Sequence, residues 1–228
     1  MITLAIDTSA HLCAAALHDS ESNSILTENS EDIGRGHAER LMDTIAQVMA
    51  EAGTGYSDLG RIAVCVGPGS FTGLRVGLAA ARGMALGLGV PAVGVSVLDA
   101  MKLAADEAGS HDPASPLLVV LDARRGEVYA QFFGCGESLP QAPFVATCEE
   151  LDAMIARNVS IALCGSGADR LVEVTGRDLP VLHRLAAAPI ACFARLGAAA
   201  EATGIRPEPL YLRAPDAKPQ AGFALERA

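Results

Sequence analysis

LLVVLDARRG, residues 117–126, repeats the opening of the chain, ITLAIDTS at residues 2–9. In both places an apolar run suited to a buried strand ends in an aspartate, Asp7 or Asp122, and a polar turn follows. A second apolar run then returns, at Leu12–Leu17 and at Val128–Phe133, so each copy reads as a β-hairpin. Ser24–Glu31 adds a third strand to the first copy.

Working outward, helices and further strands follow each hairpin. The apolar positions Leu41, Met42, Ile45, Val48 and Met49 share one helical face over His37–Glu51, and Gly53-Thr54-Gly55 ends that helix. Arg61–Val66 reads as a short buried strand. Gly67-Pro68-Gly69-Ser70 turns tightly into a helix over Phe71–Leu88, then Pro91–Val95 is a strand and Val97–Ala108 a helix. Gly109–Pro116 (GSHDPASP) breaks the composition and divides the chain into lobes of residues 1–108 and 109–228. In the second lobe Thr147 and Glu150 form a capping box opening a helix over Cys148–Ala156. Ser160–Leu163 is a strand, Gly165-Ser166-Gly167 opens a helix over Ala168–Val174, and Ile190–Thr203 is a last amphipathic helix. A tail with Pro207, Pro209, Pro215 and Pro219 is extended, and this helix and tail are candidates for packing back on the first lobe. The expectation is an α/β protein of two related lobes, each a mixed sheet flanked by helices. That duplication resembles the actin-like, sugar-kinase-like and Hsp70-like nucleotide-binding folds, a likeness that does not fix function.

Composition narrows the function classes. The 228 residues carry 17 basic and 27 acidic side chains, a formal charge of −10. Phosphate neutralisation needs clustered Lys and Arg, so this charge argues against a self-sufficient nucleic-acid binder. Six cysteines stand among apolar residues with no CxxC spacing, which reads as buried thiols of a reducing, cytoplasmic compartment. The start, MITLAIDTS, has no basic region and runs straight into a strand, so it does not read as a signal peptide. Residues 76–98 are apolar enough to attract a hydropathy window. Arg82 and Pro91 interrupt them, so a buried helix and strand fit better than a bilayer span.

Phosphoryl transfer is the first chemistry to weigh. Phosphate-bracketing hairpins need Gly and small hydroxyl residues so that backbone N–H groups reach the anion. The first turn, Asp7-Thr8-Ser9-Ala10-His11, has no Gly, and the second places Arg124 and Arg125 where a phosphate would sit. Asp7, Ser9, Asp122, Arg124, Gly165 and Gly167 therefore make at most a vestigial nucleotide site. Asp7 and Asp122 either place Mg²⁺ or simply end strands and satisfy turn N–H groups. A Walker A loop is excluded because residues 1–101 contain no Lys, and no GxSxG elbow occurs. His37 has Leu41 at i+4, so no paired histidine metal site is expected.

Gly73, Gly77, Ala81 and Ala85 recur every four residues and form a strip without bulk along the second helix. Such a strip lets another backbone approach, either the chain's own sheet or a partner's helix. The helix is apolar nearly all round, which favours a partner.

The run Val66-Gly67-Pro68-Gly69-Ser70-Phe71-Thr72-Gly73-Leu74-Arg75-Val76-Gly77 resembles the signature of the bacterial TsaB (YeaZ) family. Leu4-Ala5-Ile6-Asp7-Thr8-Ser9, His37-Ala38-Glu39-Arg40-Leu41, Leu121-Asp122-Ala123-Arg124-Arg125-Gly126-Glu127-Val128-Tyr129 and Pro209-Leu210-Tyr211-Leu212-Arg213 are similar too. The resemblance implies a non-catalytic subunit of the machinery that installs threonylcarbamoyl on the adenosine 3′ of the anticodon in ANN-decoding tRNAs. It implies a TsaD-type catalytic paralogue as partner, a TsaE-type ATPase as associate, homodimers, tRNA contact only through the complex, and no membrane. No cofactor is implied beyond a weak ATP or ADP contact at the partner interface. Carried over to this chain, the docking surface is Leu41, Ile45, Phe71, Gly73, Leu74, Arg75, Gly77, Leu78 and Ala81. On that expectation Gly77→Arg abolishes docking and leaves the monomer folded. The alternative is an actin-like ATPase or small-molecule kinase using Asp7 and Asp122.

Overall fold

The computed structural model describes residues 1–109, 111–136, 139–155 and 161–213. Two five-stranded sheets share one topology. In the first, β1 (Ile2–Asp7), β2 (Leu12–Asp19), β3 (Ser24–Asp32), β4 (Leu59–Gly67) and β5 (Ala92–Ser96) lie in the order β3-β2-β1-β4-β5. In the second, β6 (Leu117–Asp122), β7 (Glu127–Phe133), β8 (Phe144–Thr147), β9 (Ala162–Cys164) and β10 (Val181–His183) lie in the order β8-β7-β6-β9-β10. Each sheet pairs its first three strands antiparallel and its last two parallel. Helices occupy matching places: α1 (His37–Glu51), α2 (Phe71–Leu88) and α3 (Val97–Glu107) in the first half, α4 (Cys148–Ile155), α5 (Ala168–Thr175) and α6 (Ile190–Ala199) in the second. This twice-built 3-2-1-4-5 arrangement is the two-lobed actin-like fold.

Strand alternation separates three cores. On β1 and β4, Leu4, Ile6, Ile62 and Val64 face outward and pack under α1 and α2. On β6, Leu118 and Val120 face outward beneath α4 and α5. The inner faces of both sheets, with Ala5, Ala63, Cys65, Leu117 and Val119, enclose α3 and α6 in a central core. Small inner residues are required there, because a Cβ added to Gly197 of α6 would lie 2.1 Å from the Ala63 Cβ. Thus α6, from the second half of the chain, covers the inner face of the first sheet.

Several boundaries differ from the sequence reading. The last helix stops at Ala199, short of Thr203, because Ala200 turns extended. The Arg61 guanidinium caps this end, donating to the carbonyls of Gly197, Ala198 and Ala200 at 2.8, 2.8 and 2.6 Å. β8 and β10 are short strands that the sequence did not announce. The Thr147–Glu150 capping box is formed, with reciprocal bonds of 2.8 and 3.2 Å. Ala156, Ser160, Pro215 and Pro219, which the sequence reading placed in elements or in the tail, lie outside the described residues. Among the described residues, no helix is long and apolar enough to cross a membrane.

Candidate functional site

The two hairpins face each other across a cleft of about 1100 Å³, but they are built differently. In the first, Asp7 is buried, and its Oδ1 accepts the Ser9 N–H at 2.8 Å. Burial pushes the Asp7 carboxyl up from its ordinary value, against the opposing pull of hydrogen bonds from Ser9. The neighbouring Cys65 thiol is pushed up too, first by burial and then by Asp7. The start of α2 closes over this turn. Thr8 Oγ1 donates to the Gly73 carbonyl at 2.7 Å, and Ser70 N–H donates to the Ser9 carbonyl at 2.7 Å. A Cβ on Gly73 would stand 1.9 Å from the Thr8 carbonyl oxygen, and one on Gly77 would stand 2.6 Å from Thr8 Oγ1.

The glycine strip is thus consumed inside the chain. Gly73, Leu74, Gly77, Leu78 and Ala81 are buried on the first sheet, as are Leu41 and Ile45 of α1. These seven residues are buried within the chain, so this part of the docking surface carried over from the resemblance packs on the chain's own sheet. Gly77→Arg would likewise force α2 off its own sheet, because the nearest obstacles are Thr8, Val64 and Ile6. Of the carried-over residues, only Phe71 and Arg75 lie at the surface. The Arg75 guanidinium sits 3.6 Å over the Phe71 ring, and the Tyr211 ring lies 5.5 Å from it.

The second hairpin is open. Asp122 and Arg124 are exposed. Asp122 Oδ1 accepts the Arg124 N–H at 2.8 Å, while the Asp122 N–H donates to Ser166 Oγ at 3.1 Å. Arg124, Arg125 and Gly126 are consecutive left-handed residues, with φ of 62°, 56° and 89°. Gly165 and Gly167 do not line the cleft; within that turn, Ser166 does. Their missing side chains serve packing instead, since a Cβ on Gly165 would stand 2.3 Å from the Val120 carbonyl oxygen. Their N–H groups are engaged by the His183 and Val120 carbonyls at 3.0 Å each. Among the described residues, no group of three His, Cys, Asp or Glu is arranged to hold a metal ion.

The tail makes contacts whose particular partners the sequence does not name. Leu210 N–H donates to the Val66 carbonyl at 2.7 Å, and Arg82 Nε donates to the Pro207 carbonyl at 3.0 Å. Arg75 Nε donates to the Tyr211 hydroxyl at 3.1 Å. Arg213 then reaches the second lobe, donating to the Ala123 carbonyl at 3.1 Å and pairing with Glu127. The segment therefore ties α2 to the β6–β7 hairpin.

A duplicated actin-like fold with one closed hairpin and one open, arginine-bearing hairpin defines a two-lobed α/β protein of that fold. A family model described as TsaD, tRNA N6-adenosine threonylcarbamoyltransferase, matches residues 24–148. The chain is 37% identical over 129 residues to the tRNA threonylcarbamoyladenosine biosynthesis protein TsaB of Escherichia coli, covering 57% of this chain and 53% of that one. The protein of the same name from Buchnera aphidicola is 31% identical over 157 residues, 69% of this chain and 70% of that one. YeaZ from Pseudomonas aeruginosa superposes with a TM-score of 0.73 at 26% identity, over 92% of this chain and 99% of that one. The chain belongs to the TsaB (YeaZ) family.

Proposed function

We propose that this chain is a non-catalytic subunit of the complex that forms threonylcarbamoyladenosine in tRNA, acting by binding a TsaD-type catalytic subunit. The relatives' names supply the pathway. One observation supports the docking role: α1 and α2 lie side by side over the first sheet and leave an outer surface of small and apolar residues. On α1 this surface is Ala38, Met42 and Ala46, with Met42 49% exposed. On α2 it is Val76, Ala79, Gly83 and Leu86, with Leu86 81% exposed. Residues at this spacing allow helices of two chains to approach closely. The same surface is the one through which two copies of this chain would pair. TsaE-type ATPase, tRNA, and any ATP or ADP contact at the interface belong to the assembled complex. Contact with tRNA phosphates falls to partners, in keeping with the −10 charge.

Co-purification with a TsaD-type partner, followed by reconstitution of tRNA modification with and without this chain, tests the proposal. Met42→Arg and Ala79→Arg place charge on the outer surface without touching the core. Both are expected to lose the partner and the modified nucleoside while melting like the parent chain. Normal partner binding by both variants would remove α1 and α2 from the interface, and turnover by the isolated chain would remove the scaffold role.

A further inference from the structure

We infer that the tail over residues 207–213 is a releasable clasp. It is anchored on the first lobe, and the guanidinium of Arg213 at its end holds the turn of the β6–β7 hairpin in its left-handed shape. The inference concerns the second lobe and does not depend on the docking role.

The turn calls for support from outside the hairpin. Arg124 and Arg125 each carry a Cβ, and both are left-handed, a region that side chains disfavour. Consecutive residues of this kind persist where surrounding contacts over-determine them. The bonds within the hairpin run from Ala123 N–H to the Glu127 carbonyl at 3.0 Å, from Glu127 N–H to the Arg124 carbonyl at 3.1 Å, and from Arg124 N–H to Asp122 Oδ1 at 2.8 Å. Asp122, Arg124 and Arg125 are exposed, so water competes for bonds at the tip.

Arg213 straddles this turn. Its Nη1 donates to the Ala123 carbonyl at 3.1 Å on one side, and its Nη2 pairs with the Glu127 carboxylate on the other. One planar guanidinium thus joins the residues that flank the left-handed run, a geometry suited to the fork of donors that arginine presents. Arg213 lies 86 residues beyond Glu127, so the shape of a local turn is set by a distant residue. Arg213 also lines the inter-lobe cleft, and the state of the clasp therefore shapes one wall of that cleft.

The two ends of the clasp are unequal. On the first lobe, backbone and side chains hold the tail together. Leu210 N–H donates to the Val66 carbonyl at 2.7 Å, and Arg82 donates to the Pro207 carbonyl through both Nε and Nη2. Tyr211 accepts from Arg75 and packs against the Phe71 ring. Pro207 also lies against β5, since a Cβ on Gly94 would stand 3.3 Å from the Pro207 Cβ. On the second lobe, the described part of the tail is held through the Arg213 side chain. Both members of that ion pair are partly exposed, which leaves it open to screening by salt. Loss of this one contact frees the hairpin turn while the tail stays on α2 and β4.

Hydrogen exchange of the full chain, read by mass spectrometry, tests the clasp in Arg213→Ala, Glu127→Gln and the exposed control Arg206→Gln. In Arg213→Ala, peptides covering Asp122–Val128 are expected to exchange about tenfold faster than in the parent. Glu127→Gln should give a smaller acceleration there, because its Arg213 still reaches the Ala123 carbonyl. Peptides covering β4, α2 and Pro207–Tyr211 should keep parent rates in all three variants. Salt at about 1 M should speed the hairpin peptides of the parent and leave those of Arg213→Ala unchanged. Parent rates at the hairpin in Arg213→Ala would show that the turn holds itself, and the clasp would fall. Equal acceleration across both lobes, accompanied by a lower melting midpoint, would overturn it too, because Arg213 would then support the whole fold.

Discussion

In the first lobe the turn after the hairpin aspartate is roofed by a helix; in the second lobe the equivalent turn faces solvent. Asp7 and Asp122 end equivalent strands, paired opposite Ala14 and Val128. Around Asp7 the glycines of α2 bring backbone onto backbone, with Thr8 bonded to the Gly73 carbonyl. Among the described residues no helix closes over the turn around Asp122, and the hairpin is held by Arg213 from the tail. The same supersecondary unit thus yields a packed joint in one lobe and a displayed loop in the other. What separates them is where the glycines after the next strand make contact: Gly73 and Gly77 after β4 close on the turn residue Thr8, whereas Gly165 and Gly167 after β9 close on Val120 within β6 and leave the turn uncovered.

The sharpest way to break the contrast is Gly73→Val. Its Cβ would meet the Thr8 carbonyl at 1.9 Å, a backbone atom that cannot swing aside. A loss of about 3 kcal/mol in urea unfolding is expected. Thr8→Val should cost about 1 kcal/mol, because it deletes the hydroxyl bond to the Gly73 carbonyl in a buried joint. The matching change in the open lobe, Asp122→Ala, should cost about 0.5 kcal/mol, since water replaces the lost bond. Equal costs in the two lobes would contradict the reading of one as a joint and the other as a display.

Titration sharpens the same difference. Burial raises the Asp7 carboxyl above its ordinary value, so the folded chain takes up this proton before the unfolded chain does. The charged form therefore weighs against folding in full above the folded-state pKa. That penalty fades as pH falls through it toward 3.8, the unfolded value. Asp7→Asn, which can still accept the Ser9 N–H, should be more stable than the parent at neutral pH. The gap should close on acidification in paired melts. A gap independent of pH would show that Asp7 is not a buried charge.

Much of this architecture was legible in the chain, and the limits have physical causes. The hairpins, α1, α2 and the capping box at Thr147 rest on local periodicity and turn chemistry, which a sequence displays directly. β8 and β10, of four and three residues, are too short to show a period and exist because a neighbouring strand pairs with them. The four-residue spacing of Gly73, Gly77 and Ala81 correctly announced a close approach but not its direction. That depends on Thr8, far away in sequence, and the strip faces inward. The Arg213 contact with Glu127 is likewise non-local, as is the use of Arg61 to cap α6. For the cleft, Arg124 stood out as an obstacle in a phosphate turn.

The smallest expected effect runs in the stabilising direction. Arg124 has a φ of 62° without being glycine, so Arg124→Gly removes a local strain of about 1 kcal/mol. Part of that gain is offset by the greater freedom of glycine in the unfolded chain, leaving a net gain of about 0.5 kcal/mol. The hairpin keeps its other supports, because the Asp122 bond is to the Arg124 backbone N–H, which glycine retains. A rise of a degree or two in the melting midpoint would show that the left-handed Arg124 backbone is strained in the folded chain. A fall in the midpoint would mean that the Arg124 side chain itself supports the hairpin, and the open lobe would then be less free than its surface exposure indicates.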